Sequence, residues 1–173
     1  MSGLIIREVS ESELEECASV IRSSFKTVAD GFGITEANAP RFTAFAVTAD
    51  RLRSQLAEGR PMYACFDGGR IVGYYSLSIP GGGACELNNL CVLPAYRRRK
   101  IGETLLKDAF RAAAERGCGL MKIGIVEENS VLRKWYESFG FIHTGTRKFD
   151  FFPFTCGYME KNIADEKQDN GTE

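Results

Sequence analysis

The sequence predicts a mixed α/β (α+β) fold, and three observations lead there. Runs of branched and aromatic residues alternate with amphipathic runs along the 173 residues. A strand-helix-strand unit occupies residues 85–126, and 44% of the residues are hydrophobic, enough to bury a core without metal or disulfide staples. Residues 1–163 read as a single domain, and 164–173 as a polar tail too poor in apolar residues to offset the entropy of ordering it.

The elements follow in order. Residues 4–9 form a short apolar strand, and Leu14, Cys17, Ala18, Ile21 and Phe25 then recur at helical spacing behind Ser10 and Ser12. From Lys26 to Pro40 the pattern is interrupted by Gly31, Gly33 and Pro40, which predicts a loop or broken helix. A second helix begins near Thr48, carries Leu52 and Leu56, and stops at Gly59. Residues 61–66 and 70–79 are strands joined at Asp67-Gly68-Gly69, a hairpin turn in which glycine tolerates positive φ. Residues 85–93 make a strand ending at Pro94, which has no N–H to give a ladder. Leu105, Leu106, Ala109, Phe110 and Ala113 form the apolar stripe of the next helix, which ends near Gly117. A strand at 120–126 precedes a helix capped by Asn129 or Ser130 and stopped at Gly140, and residues 141–152 and 154–160 finish as strands.

Composition excludes several functions. With 22 basic against 23 acidic side chains the formal net charge is -1, so no global field draws the protein to nucleic acid or an anionic membrane. Six scattered cysteines without a Cys-x-x-Cys pair, together with one histidine, predict reduced thiols and no metal site. No stretch approaches the roughly 18 apolar residues that span a bilayer, and no signal peptide is visible, so a soluble, cytoplasmic protein is expected. Monomer and homodimer both stay open.

The most informative segment is Tyr96-Arg97-Arg98-Arg99-Lys100-Ile101-Gly102, a basic turn that joins a strand to the crossover helix. A helix N-terminus offers unpaired N–H groups and partial positive charge, four consecutive cations attract a polyanion, and Gly102 removes a side chain where a ligand would lie closest. A pyrophosphate suits this place. A solvated basic corner offsetting Glu103 and Asp108 is the plain alternative. There is no Gly-Lys-Ser or Gly-Lys-Thr loop and no Gly-x-Gly-x-x-Gly fingerprint.

Arg97-x-x-Lys100-x-Gly102, after Leu90-Cys91-Val92-Leu93-Pro94 and before Leu105-Leu106, resembles the acetyl-CoA motif of the GNAT superfamily of N-acetyltransferases, Gln/Arg-x-x-Gly-x-Gly/Ala. Lys100 departs from it, standing where the first glycine usually stands. Asn129, Tyr136 and Gly140-Phe141 are similar to the family's downstream Asn, Tyr and Gly-Phe segment. The resemblance implies a mostly antiparallel sheet of six to seven strands with flanking helices. It also implies a splayed strand pair that holds the arm of acetyl-CoA as an extra strand beside Leu90, Cys91 and Val92.

It further implies transfer of the acetyl group from acetyl-CoA directly to a primary amine, a small molecule in preference to a protein. The donor would be bound by Arg97, Arg98, Arg99, Lys100, Ile101, Gly102 and Asn129, and Tyr136 would be the acid beside the CoA sulfur. Packing of Tyr136 in a stripe with Trp135 and Phe139 is the bland reading. For the base, Glu86 lies on the preceding strand and alternates with Asn88 toward one face, unless a bulge intervenes; ordered water is the alternative. Cys91 has no sequence neighbour to activate it, and His143 is expected to make an ordinary hydrogen bond. Residues 25–47 and Phe149, Phe151, Phe152 and Phe154 would wall the amine entrance, with Asp30 and Glu36 as weak acidic candidates. Two other classes compete: a non-catalytic acyl-CoA sensor, motivated by Lys100, and a nucleic-acid module, opposed by the near-neutral charge.

Overall fold

The computed structural model describes residues 3–164, so the expected tail lies, apart from Ala164, outside the described residues. Strand β1 (Ile5–Glu8) leads through a 3₁₀ turn into α1 (Leu14–Gly31), the short α2 (Thr43–Ala46) and α3 (Ala49–Ala57). Then come β2 (Met62–Asp67), β3 (Arg70–Gly81), β4 (Ala84–Val92), α4 (Ile101–Glu115), β5 (Leu120–Val126), α5 (Ser130–Ser138), β6 (Ile142–Lys148) and β7 (Thr155–Asn162). The seven strands form one sheet in the order β1-β2-β3-β4-β5-β7-β6, and only β4 and β5 run parallel. Among the described residues no helix is long and apolar enough to cross a membrane.

Two boundaries differ from the sequence reading. The expected break at Lys26 does not occur, because Ala29 continues the buried stripe of α1 and Gly31 remains helical. The helix closes two residues later, where Gly33 at φ 63° lets Ile34 N–H return to the Ala29 carbonyl at 2.9 Å. At the other end of the chain, β6 stops at Lys148 instead of running to 152. Phe149, Phe151 and Phe152 satisfy one another as a ring cluster, and Phe152 N–H closes a turn on the Phe149 carbonyl.

Helix α4 packs on one face of the sheet and buries Leu105, Leu106, Ala109 and Phe110 with Tyr75, Leu77, Cys85 and Leu87. Helices α1 and α3 cover the other face through Leu14, Cys17, Ile21 and Leu52 against Ala64, Tyr74 and Cys91. A third, aromatic cluster joins Phe42, Phe154, Ala39 and Val126 at the end of β5.

One extra residue in β4 decides which side chains reach which face. The β3–β4 register shifts between Tyr74 and Ser76, and Asn89 sits opposite at φ 56°. Cys85 and Leu87 face α4 before this bulge, whereas after it Leu90 and Val92 do so and Cys91 turns to α1.

The sheet also fits tightly under α4. A Cβ at Gly73 would stand 2.7 Å from Leu105 Cδ1 and 3.1 Å from the Cys91 carbonyl, and Leu105 is fully buried. Gly73→Ala is therefore expected to destabilise the protein by about 1–3 kcal/mol in urea unfolding; an unchanged midpoint would mean that α4 has slack against β3.

Candidate active site

The site begins with a defect in the sheet. Strands β4 and β5 pair only at Ala84↔Leu120, Cys85↔Met121 and Glu86↔Lys122. Beyond Glu86 the first continues on β3 alone and the second on β7 alone, so the two part like a fork. Backbone N–H and C=O groups demand partners, and facing edges left without them offer an extended ligand a ladder.

A cleft of about 620 Å³ runs along the free part of β4, between α1 on one sheet face and α4 and α5 on the other. Leu90, Cys91 and Val92 line it from β4, Ser24, Phe25 and Val28 from α1, and Leu132, Trp135 and Tyr136 from α5. Residues 97, 98 and 100–102 close its end, so ten of the predicted donor-site positions, the last two being Asn129 and Tyr136, meet in one place. Arg99 is the predicted residue that does not; its guanidinium lies over the Tyr96 ring at 5.1 Å.

The basic turn owes its shape to two left-handed residues, Arg98 at φ 64° and Lys100 at φ 60°. Side chains resist this conformation, and such strain persists where the surroundings over-determine it. Lys100 is the N-cap of α4 and makes no side-chain cap, which leaves the first-turn amides without an intrahelical partner at the cleft. Its φ also explains why a glycine would suit this position.

Arg97 is used differently from the phosphate-binding role expected of it. Its Nε donates to the Val92 carbonyl at 3.2 Å, and its terminal nitrogens donate to Thr27 Oγ1 at 2.9 Å and the Ser24 carbonyl at 3.0 Å. The guanidinium thus clips the end of β4 to α1, and the cations left facing the cleft are Arg98 and Lys100. With the Val92 carbonyl taken, the free edge of β4 centres on Leu90.

Asn129 Oδ1 accepts from Leu132 N–H at 3.2 Å and so caps α5. Seven residues on, Tyr136 is both core and cleft: only 6% exposed, it packs edge-on against Trp135 and Phe141, yet it lines the cavity. Burial raises its hydroxyl pKa above the ordinary tyrosine value, with a smaller contribution from Cys91, and the hydroxyl has no hydrogen-bond partner among the described residues. It therefore stays protonated and available.

Burial pushes the Cys91 thiol up to about 12, which keeps it from acting as a nucleophile. His143 Nε2 lies 2.8 Å from Glu127 Oε2, and Arg133 holds the other carboxylate oxygen at 3.1 Å, an ordinary structural arrangement. Glu86 is not brought into the cleft. It sits at the last paired position below the fork, exposed, on the face away from α4, opposite Lys122.

Sequence reasoning missed two contributions. Trp135 stands 3.6 Å from where a Cβ on Gly102 would be, so the indole and the turn form one wall. Ser24 and Val28 of α1 carry no local signal, because only the tertiary fold brings them to β4.

A family model for the acetyltransferase (GNAT) family matches residues 33–141. Over 140 residues the chain is 28% identical to the thialysine N-epsilon-acetyltransferase of Bos taurus, which spans 80% of this chain and 76% of that protein. The fold superposes on the PaiA N-acetyltransferase of Thermoplasma acidophilum in complex with coenzyme A with a TM-score of 0.80, at 24% identity over 92% of this chain and 99% of that one. It is also similar to a ribosomal-protein-alanine N-acetyltransferase of Brucella melitensis, with a TM-score of 0.70 at 24% identity over 91% and 99% of the two chains. At these identities the two structures show a shared fold.

The Arg97 clip makes a simple prediction. Arg97→Ala should lower unfolding stability by about 1 kcal/mol through loss of its bonds to α1 and Val92, while Arg98→Ala leaves stability unchanged. Equal effects in chemical denaturation would remove the distinction drawn between these neighbours.

Proposed function

The chain belongs to the GNAT family of acetyltransferases and is an acyltransferase, and from that premise we propose that it transfers the acetyl group of acetyl-CoA to a primary amine, on a small molecule in preference to a protein. The observation that carries this reading is the fork, where an unpaired strand edge, an anion-suited turn and a buried, protonated tyrosine line one cleft. The family match favours this reading over a non-catalytic sensor.

The residues present fit acetyl-CoA. Arg98, Lys100 and the first amides of α4 suit its phosphates, and the edge at Leu90 suits its amide-bearing arm. The orphaned Tyr136 hydroxyl suits its sulfur. When bound, acetyl-CoA supplies an activated acetyl group. The protein's own contribution is to hold that group in the fork, let a neutral amine form the new C–N bond, and manage two protons. Tyr136 gives its hydroxyl proton to the sulfur as the C–S bond breaks. Glu86, below the fork, takes the proton lost by the amine through intervening water. Asn129 shapes this wall by capping α5 beneath Tyr136.

A small acceptor is supported by the aromatic cluster. Phe42 and Phe154, with ring centroids 5.6 Å apart, join the α1–α2 segment to the β6–β7 turn across the end of the sheet. Asp30, one of the weak acidic candidates for amine binding, is paired with Lys26. The names of the relatives span a thialysine and a ribosomal-protein alanine, which supports N-acylation as the common chemistry without selecting one amine.

The test is free-thiol release from acetyl-CoA with a panel of amines. Tyr136→Phe is expected to lower kcat by about a hundredfold with acetyl-CoA affinity unchanged; unaltered turnover would remove the acid. Because burial raises the Tyr136 pKa, its proton is retained as pH increases, and kcat should show no loss attributable to this group below its ordinary pKa of about 10. Thiol release silent with every amine, alongside measurable acetyl-CoA binding, would sink the transferase reading itself.

A further inference from the structure

Gly124 stands in the middle of β5, exposed, in the interior of a seven-stranded sheet. A glycine there weakens a strand, so it needs a reason. Backbone conformation does not supply one, since Gly124 is not among the residues with positive φ. Packing does not supply one either. A Cβ at 124 would meet a single atom within 4 Å, Tyr158 Cε1 at 3.9 Å, an ordinary contact. Gly73 and Gly157 differ, because a Cβ at each would collide with Leu105 or with Glu127.

The surroundings point to a ligand. Gly124 lies two residues past Lys122, the last residue of β5 that pairs with β4, and so sits at the mouth of the fork. On its other side it pairs with Tyr158 of β7, an exposed tyrosine whose side chain shares the face of Glu86. Burial raises the Tyr158 hydroxyl pKa, with Glu86 a smaller contributor. Asn88, on β4 across the fork, is held back toward β3 by its 2.7 Å bond to Ser78 Oγ. Gly124, Glu86 and Tyr158 thus share one face of the sheet where β4 and β5 part, and Val126, two residues further along the same face, belongs to the aromatic cluster with Phe154.

We infer that Gly124 is the floor of the path by which the amine reaches the fork, and that its missing side chain sets the width of that path for an unbranched primary amine passing between Glu86 and Tyr158. This rests on the transfer reading above and adds to it a specificity-determining residue and a class of acceptor.

The experiment compares wild type, Gly124→Ala, Gly124→Val and Tyr158→Phe in two assays. Acetyl-CoA binding is followed by the fluorescence of Trp135, the single tryptophan, which lines the cleft. Thiol release is followed with unbranched primary amines and their α-branched counterparts. Valine favours strands, so Gly124→Val is expected to fold with a Tm no lower than wild type and to bind acetyl-CoA normally. Its KM for unbranched amines should rise about tenfold or more, with Gly124→Ala intermediate, and wild type should prefer unbranched amines. Tyr158→Phe, which keeps the ring, should raise the amine KM and leave acetyl-CoA binding intact. Full turnover by Gly124→Val overturns the path while leaving the transferase reading in place. Loss of acetyl-CoA affinity in Gly124→Val assigns the space to the donor and also overturns it. Wild type that binds acetyl-CoA yet acetylates no amine overturns the transferase reading, and this inference with it.

Discussion

Strands β4 and β5 separate after three paired residues, and the placement of every other functional group depends on that separation. A parallel pair in the interior of a sheet would ordinarily continue its ladder, because unpaired peptide groups are costly. Here β3 and β7 hold the outer edges of the two strands, through six and seven paired positions respectively, while the inner edges stay open. The bulge at Asn89 then redirects the free part of β4, so that Leu90 and Val92 look toward α4 and α5 while Cys91 packs on α1. A gap through the sheet becomes a cleft with two accessible sides.

The same logic accounts for where the molecule tolerates strain. Asn89, Arg98 and Lys100 are the non-glycine residues with left-handed backbone among those described, and all three lie on the wall of the fork or in the turn that closes it. Each such conformation is disfavoured, and each is fixed by neighbours: β3 across from the bulge, and the Arg97 clip to Ser24 and Thr27 beside the turn. Stability is drawn from three apolar clusters around the fork, and the site uses some of it to hold peptide groups and a tyrosine hydroxyl without partners.

Much of this was legible in the sequence. The order of strands and helices follows from hydrophobic period and from turn residues such as Asp67-Gly68-Gly69, and the basic turn before α4 announces itself by charge and by Gly102. What the chain does not display locally is reach. Arg97 looks like its three basic neighbours, yet its partners Thr27 and Ser24 lie some seventy residues away. Helix α1 continues through the buried Ala29 to Gly31, where the sequence reads as a loop from Lys26, and the phenylalanines after Lys148 look like a strand but pack on one another. Alternation along β4 assigns Glu86 a face, whereas the fork that opens above it depends on β5 and β7, far along the chain. Gly124 looks like nothing more than a weak strand residue until its neighbours are known.

The most direct test of the account is amide hydrogen exchange with and without acetyl-CoA, since the central claim concerns backbone groups and not side chains. Binding should slow exchange at residues 90–92 and 98–103, the free edge of β4 and the turn at the start of α4, and leave β1 and β2 unchanged. Protection confined to other segments, with 90–92 exchanging as before, would contradict the fork as the place where the donor is held.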